Sequence, residues 1–160
     1  MSKPSFVSLR ANYPDKIDMP PERLYQEIGR PDLSNDPNWK NTCAVRVSLA
    51  LVKSGMKIDT GHMTIMTGKH KGSKIEQNQV RLSRYLSRGS VLGEPEKVIG
   101  GGAAAKGIGA RRGIVSFFKL NGQADTQGHI DLVQPSTGGY QACASRCFWT
   151  SVEIWFWPLS

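Results

Sequence analysis

Gly113-Ile114-Val115-Ser116-Phe117-Phe118-Lys119-Leu120 marks the point at which the chain changes its period. From there β-branched and aromatic residues run in short blocks between turn residues, and 114–120, 129–133 and 152–157 read as strands. Upstream, apolar residues recur every three or four positions instead. In the 41–53 run, Cys43, Val47, Ala50 and Leu51 share one face of a central helix; Asn41 or Thr42 can cap its first turn, and Gly55 ends it. A second amphipathic helix is predicted over 74–88, with Ile75, Leu82, Tyr85 and Leu86 on one stripe and Gly89 as its stop. Helices that precede strands argue for an α+β fold with an antiparallel sheet, because parallel crossovers would need a helix between each strand pair.

Residues 1–40 are rich in Pro, Asn and Asp and read as an ordered arm over the core. They hold one short helix, 22–29, behind Pro20-Pro21. Residues 100–113 resemble a phosphate loop only in glycine content: Lys106-Gly107 is the wrong order for a Walker motif, and no G-x-G-x-x-G can be written. The segment reads as a flexible linker, and with the 121–128 loop it suggests mobile groove walls.

The chain has 160 residues, 39% hydrophobic and 21% charged, which fits one globular domain, 1–160, rather than two or a disordered chain. No window is apolar enough to insert in a membrane, and 1–18 lacks the h-region of a signal peptide. The net charge of +8 favours anionic partners such as nucleic acid, an anionic wall or an acidic protein. Arg81, Arg84 and Arg88 would share a helix face, but no interleaved aromatics offer base stacking.

Three cysteines divide into a close pair, Cys143 and Cys147, and a lone Cys43. The pair can form a local disulfide or stay reduced; a zinc set of Cys43, Cys143, Cys147 and His129 is chemically legitimate but has the wrong spacing. No metal or cofactor is expected. Cys43 sits in the first turn of its helix, where unpaired N–H groups favour a thiolate. A thiol nucleophile needs a base, and imidazole suits that task near neutrality. In Gly128-His129-Ile130-Asp131-Leu132, strand alternation sends His129 and Asp131 to one face, whereas His62 and His70 fall in a polar loop. Asp131 could orient the imidazole if its carboxylate leans along the strand; Gln134, Tyr140 and Ser145 are substitutes. Trp39 and Asn41, just before the nucleophile, can line a groove or steady the start of the helix. These residues describe a Cys/His hydrolase or acyl-transfer enzyme, with a basic nucleic-acid-binding or non-catalytic interaction module as the alternative.

The run Trp39-Lys40-Asn41-Thr42-Cys43-Ala44-Val45-Arg46-Val47-Ser48 resembles the cysteine helix of the type VI secretion amidase effectors, family 4. Pro4-Ser5-Phe6 with Asn12-Tyr13-Pro14, the 112–118 strand, the Gly-His-Ile-Asp-Leu strand, the Cys143/Cys147 pair and Glu153-Ile154-Trp155-Phe156-Trp157-Pro158-Leu159 are similar in the same order. The resemblance implies a papain-like, NlpC-type cysteine peptidase injected into the periplasm of a rival cell. It implies cleavage of peptidoglycan between γ-D-glutamate and meso-diaminopimelate, with Cys43 as nucleophile and His129 as base. A cognate periplasmic immunity protein and a component of the secretion machine are the implied partners. The family carries an acidic third member beyond the histidine strand, where this sequence offers only Glu153.

Overall fold

In the computed structural model, which describes residues 3–120 and 128–160, helices α1 (Phe6–Asn12) and α2 (Pro21–Glu27) and two 3₁₀ turns (Pro31–Asn35 and Pro37–Trp39) lead into α3 (Cys43–Lys53). A two-stranded ribbon of β1 (Met63–Thr64) and β2 (Lys74–Ile75) precedes α4 (Gln79–Leu86). Then come β3 (Glu96–Ile99), α5 (Gly101–Ile108), β4 (Gly113–Phe118), β5 (His129–Pro135), β6 (Gln141–Cys143) and β7 (Glu153–Pro158). The main sheet has the order β3-β7-β4-β5-β6, and every neighbouring pair is antiparallel. This is the expected α+β arrangement, with the N-terminal helices packed on a C-terminal sheet.

Every residue of α3 from Cys43 to Val52 is buried, Arg46 and Ser48 included, so this helix runs through the core rather than along its surface. One side of the sheet faces it: Ile114, Ile130, Leu132 and Trp157 join α1, α2, α3 and α4 in one apolar cluster. Val115, Phe117, Val133, Ile154 and Phe156 face the other way, onto Ala104 and Ile108 of α5. Strand alternation therefore sets both layers, and it leaves the start of β5 beside the start of α3.

The structure corrects four expectations. The 100–113 linker is mostly helix α5: Ala103-Ala104-Ala105 has the highest helix propensity available, and Gly101, Ala104 and Ile108 are buried under the sheet. Gly101 is required there, since a Cβ would come within 1.7 Å of the Trp149 carbonyl oxygen. The 74–88 helix starts late, because Ile75 pairs with Met63 in the ribbon and Asn78 then caps α4 by accepting from Arg81 N. The N-terminal arm gains α1, capped by the Ser5 hydroxyl. Strands β3 and β6 lie on the two edges of the sheet, where polar and half-exposed residues carry too little alternation to announce them. Residues 121–127 lie outside the described residues, and with them most of the loop suggested as a groove wall.

Two of the three arginines of the expected stripe are engaged in ion pairs, Arg81 of α4 with buried Glu76 (3.2 Å) and Arg88, just beyond the end of α4, with Asp59 (3.0 Å). Among the described residues, no helix is long and apolar enough to cross a membrane.

Candidate active site

The first turn of α3 faces the first residues of β5, and that juxtaposition brings Cys43 and His129 into the wall of one cavity. Asn41 Oδ1 accepts from Cys43 N at 3.2 Å, so Asn41 caps the nucleophile's own amide, while Thr42 accepts from Arg46 Nε at 2.9 Å. Cys43 is free and buried. The Cys143–Cys147 disulfide consumes two of the thiols that the rival zinc set would need. Among the described residues, no group of three or more His, Cys, Asp or Glu side chains could hold a metal ion.

Asp131 leans along its strand, and its Oδ2 lies 2.7 Å from His129 Nε2. A carboxylate only accepts, so Nε2 carries the proton and Nδ1 is the nitrogen left for the thiol. Asp131 is fully buried and also accepts from three backbone amides: Leu132 at 2.8 Å, Arg146 at 2.9 Å and Ser145 at 3.1 Å. Ser145 and Arg146 lie inside the loop closed by the disulfide. Ser145 thus contributes by its backbone, whereas Tyr140 is exposed and Gln134 lies farther along β5. Glu153 is spent elsewhere, accepting from Trp155 Nε1 at 2.7 Å.

The His129 ring is held by aromatics, with Phe148 edge-on at 4.9 Å between centroids and Phe117 stacked at 6.1 Å. Burial disfavours the imidazolium, but hydrogen bonds to Asp131 and Cys43 outweigh it and push the His129 pKa up to about 9. The fold therefore favours the protonated ring. Its contribution to stability is fully present below the unfolded value near pH 6.5 and is lost as pH rises through about 9. Urea unfolding of the wild type is expected to show stability falling by about 3 kcal/mol over that window. The same titration of His129→Gln should lack this component; an unchanged slope would contradict the coupling.

A cavity of about 300 Å³ opens on this site and is lined by Asn41, Cys43, Arg46 and His129 with Lys16 and Lys40. Trp39 is not in its wall; it packs against the core, and its carbonyl accepts from Tyr25 Oη. A larger cavity of about 730 Å³ lies at the far end of α3, around Met56 and Ile58, and has no cysteine in its lining. Size therefore does not mark the chemistry here. The feature that sequence reasoning missed is Arg46. It stands three residues after Cys43 and four after Thr42, so helical spacing alone puts it on their face.

A family model described as the type VI secretion system amidase effector protein 4 matches residues 39–157. No curated protein matches. Among solved structures, the chain is similar to the type VI effector Tae4 from Enterobacter cloacae, with a TM-score of 0.76 at 19% identity over 99% of this chain and 98% of that one. It is similar to the same organism's Tae4-Tai4 effector-immunity complex, with a TM-score of 0.76 at 18% identity over 99% and 100% of the two chains. The Salmonella typhimurium Tae4 bound to the Enterobacter cloacae immunity protein Tai4 gives 0.73 at 17% identity, again over 99% and 100%. At such identities the likeness is one of fold.

Proposed function

The chain belongs to the amidase effector protein 4 family of the type VI secretion system, and on that premise we propose that it hydrolyses the γ-D-glutamyl–meso-diaminopimelate amide of peptidoglycan stems with Cys43 as nucleophile. The observation that carries this reading is that Cys43 and His129 share the wall of one cavity, with His129 hydrogen-bonded to the buried Asp131. With the thiol proton already on His129 Nδ1, the Cys43 sulfur attacks as a thiolate and forms a bond to the γ-carbonyl carbon. The carbonyl electron pair moves to an oxyanion beside the first turn of α3. Cys43 N–H is held by Asn41 Oδ1 at 3.2 Å, so the oxyanion takes over that donor by displacing a long hydrogen bond rather than finding it free. On collapse the C–N bond breaks and the imidazolium delivers its proton to the departing amine. Water, deprotonated by the same ring, then releases the thioester. Asp131 accepts the Nε2 hydrogen bond throughout and keeps its tautomer fixed.

The reaction takes place in the periplasm of a target cell, where the disulfide is stable. The immunity protein in the solved complexes supports a cognate inhibitor as partner, with peptidoglycan as substrate and the secretion machine as carrier. Trp39 steadies the start of the helix, and Asn41 holds the nucleophile's amide. The test is digestion of purified Gram-negative peptidoglycan with mass spectrometry of the released stems. Fragments ending at D-glutamate and beginning at diaminopimelate are expected; cleavage at another bond, or none, refutes the assignment.

The disulfide has a separate expected effect. Closing so short a loop stabilises the fold by only about 2 kcal/mol on loop entropy. Its turn, however, presents the Ser145 and Arg146 amides to Asp131. A Cys143→Ser/Cys147→Ser protein is therefore expected to lose about tenfold in kcat with little change in KM. Unchanged kcat with a lowered unfolding temperature would reduce the disulfide to a structural clip.

A further inference from the structure

Arg46 is a charged side chain in the core and, among the described residues, no carboxylate is bonded to it, Asp15 acting on it only at a distance. It is fully buried, and it donates to Thr42 Oγ1 at 2.9 Å and to the carbonyls of Pro14 and Met19 at 2.8 and 2.7 Å. These bonds staple the N-terminal arm to the nucleophile helix. Its Nη2 has no partner, and burial pulls its pKa down from the ordinary guanidinium value. A staple alone does not require an unbalanced cation, whose burial is costly. Asp15, on the same arm, is bonded to Arg10 at 3.3 Å.

Arg46 lines the same cavity as Cys43, and among the described residues the only other charged ones in that lining besides the imidazole are Lys16 and Lys40. Both lysines are exposed, and among the described residues neither forms an ion pair. Among the described residues, the cavity that holds the nucleophile is thus lined by three cations and no acid. Asp131 is not in that wall, and its charge is met by the protonated His129 it holds. A cavity lined by positive charge concentrates anions.

We propose that Lys16 and Lys40, with Arg46 beneath them, form a carboxylate-binding site that selects substrates carrying a free carboxylate close to the scissile amide. The substrate half of this proposal rests on the amidase reading; the anion affinity of the cavity does not. In a stem peptide the carboxylate has two sources, the α-carboxylate of the D-glutamyl residue and a carboxylate of diaminopimelate. The lysines make first contact at the mouth, and the guanidinium supplies fixed charge at the floor. Specificity then comes from charge beside the nucleophile rather than from an apolar pocket.

Two probes of nearly equal size and opposite character test the site without substrate: iodoacetate, an anion, and iodoacetamide, which is neutral. The ratio of their rates of Cys43 alkylation is expected to exceed that of free cysteine by about tenfold at low salt and to fall as salt is added. Lys16→Ala/Lys40→Ala should bring the ratio most of the way back to that of free cysteine, whereas Lys106→Ala, an exposed residue of α5, should not. These lysines are exposed, so the double variant keeps its core; Arg46 is left in place because its loss would also free the arm. A ratio equal to that of free cysteine, or one unmoved by the double variant, overturns the site. Matched stem peptides then identify the source. Converting one of the two carboxylates to a carboxamide should lower wild-type kcat/KM by about tenfold or more, and the penalty should shrink in the double variant. If the peptide is cut and neither amidation matters, the proposal is overturned while the amidase reading stands. If the unmodified peptide is not cut, the amidase reading falls and the alkylation ratio still decides the site.

Discussion

Cys43→Ala is expected to lower the rate of amide hydrolysis by at least about 10⁴-fold, leaving only what binding and the remaining donors contribute. The argument is positional. The thiol is buried at the head of α3 and shares a cavity wall with an imidazole, one nitrogen of which is fixed by Asp131. No second thiol can substitute, because Cys143 and Cys147 are joined to each other. Removing one buried sulfur should cost no more than about 1 kcal/mol of stability, so the variant remains folded. Product release followed by chromatography, alongside an unfolding curve, checks both halves. A folded Cys43→Ala protein that still cleaves would remove Cys43 from the mechanism. It would favour a chain in which this residue only fills the core.

Asp131→Asn should be nearly as damaging, with kcat reduced by about 10²–10⁴-fold. The carboxylate receives four donors: His129 Nε2 and the amides of Leu132, Ser145 and Arg146. A carboxamide has one acceptor oxygen and turns its NH₂ toward whichever donors that oxygen does not serve. If the oxygen faces the amides, His129 loses its acceptor and the Nε2–H tautomer is no longer favoured. If it faces His129 it keeps the Ser145 and Arg146 amides as well, and the Leu132 amide is left against the NH₂, at a cost of about 1–3 kcal/mol. The readout that separates orientation from scaffolding is the pH profile of kcat. Loss of Asp131 should lower the histidine's apparent pKa from its raised value, whereas a purely structural role would lower the unfolding temperature and leave that profile in place.

Much of this arrangement is written in local periodicity, and the remainder is tertiary. Helix α3 was legible because Cys43, Val47, Ala50 and Leu51 repeat at helical spacing, and His129 and Asp131 were legible as same-face residues of one strand. Their hydrogen bond was not, because same-face residues sit nearly 7 Å apart until a side chain leans. The lean is imposed by amides from a turn twelve or more residues later, which no local pattern announces. Arg46 was hidden for a different reason: a charged residue in a helix ordinarily points to water, and only the arm's two carbonyls explain why this one does not. Helix α5 was hidden by its glycines, whose role is the approach of Gly101 to the Trp149 carbonyl rather than flexibility. The edge strands β3 and β6 are short and half-exposed, so they acquire their identity from the neighbours they pair with.

The order β3-β7-β4-β5-β6 also imposes a sequence of events during synthesis. Strands β4, β5 and β6 can pair with near neighbours as they leave the ribosome, but β3 has only β7 to pair with, and β7 is the last strand made. Until β7 emerges, β3 and one side of β4 carry open backbone donors and acceptors. The nascent chain therefore passes through a stage in which Cys43 and His129 are both present but the sheet beneath them is incomplete. For that interval the chain has been translated past both residues while the edge of β4 that β7 will cover is still open.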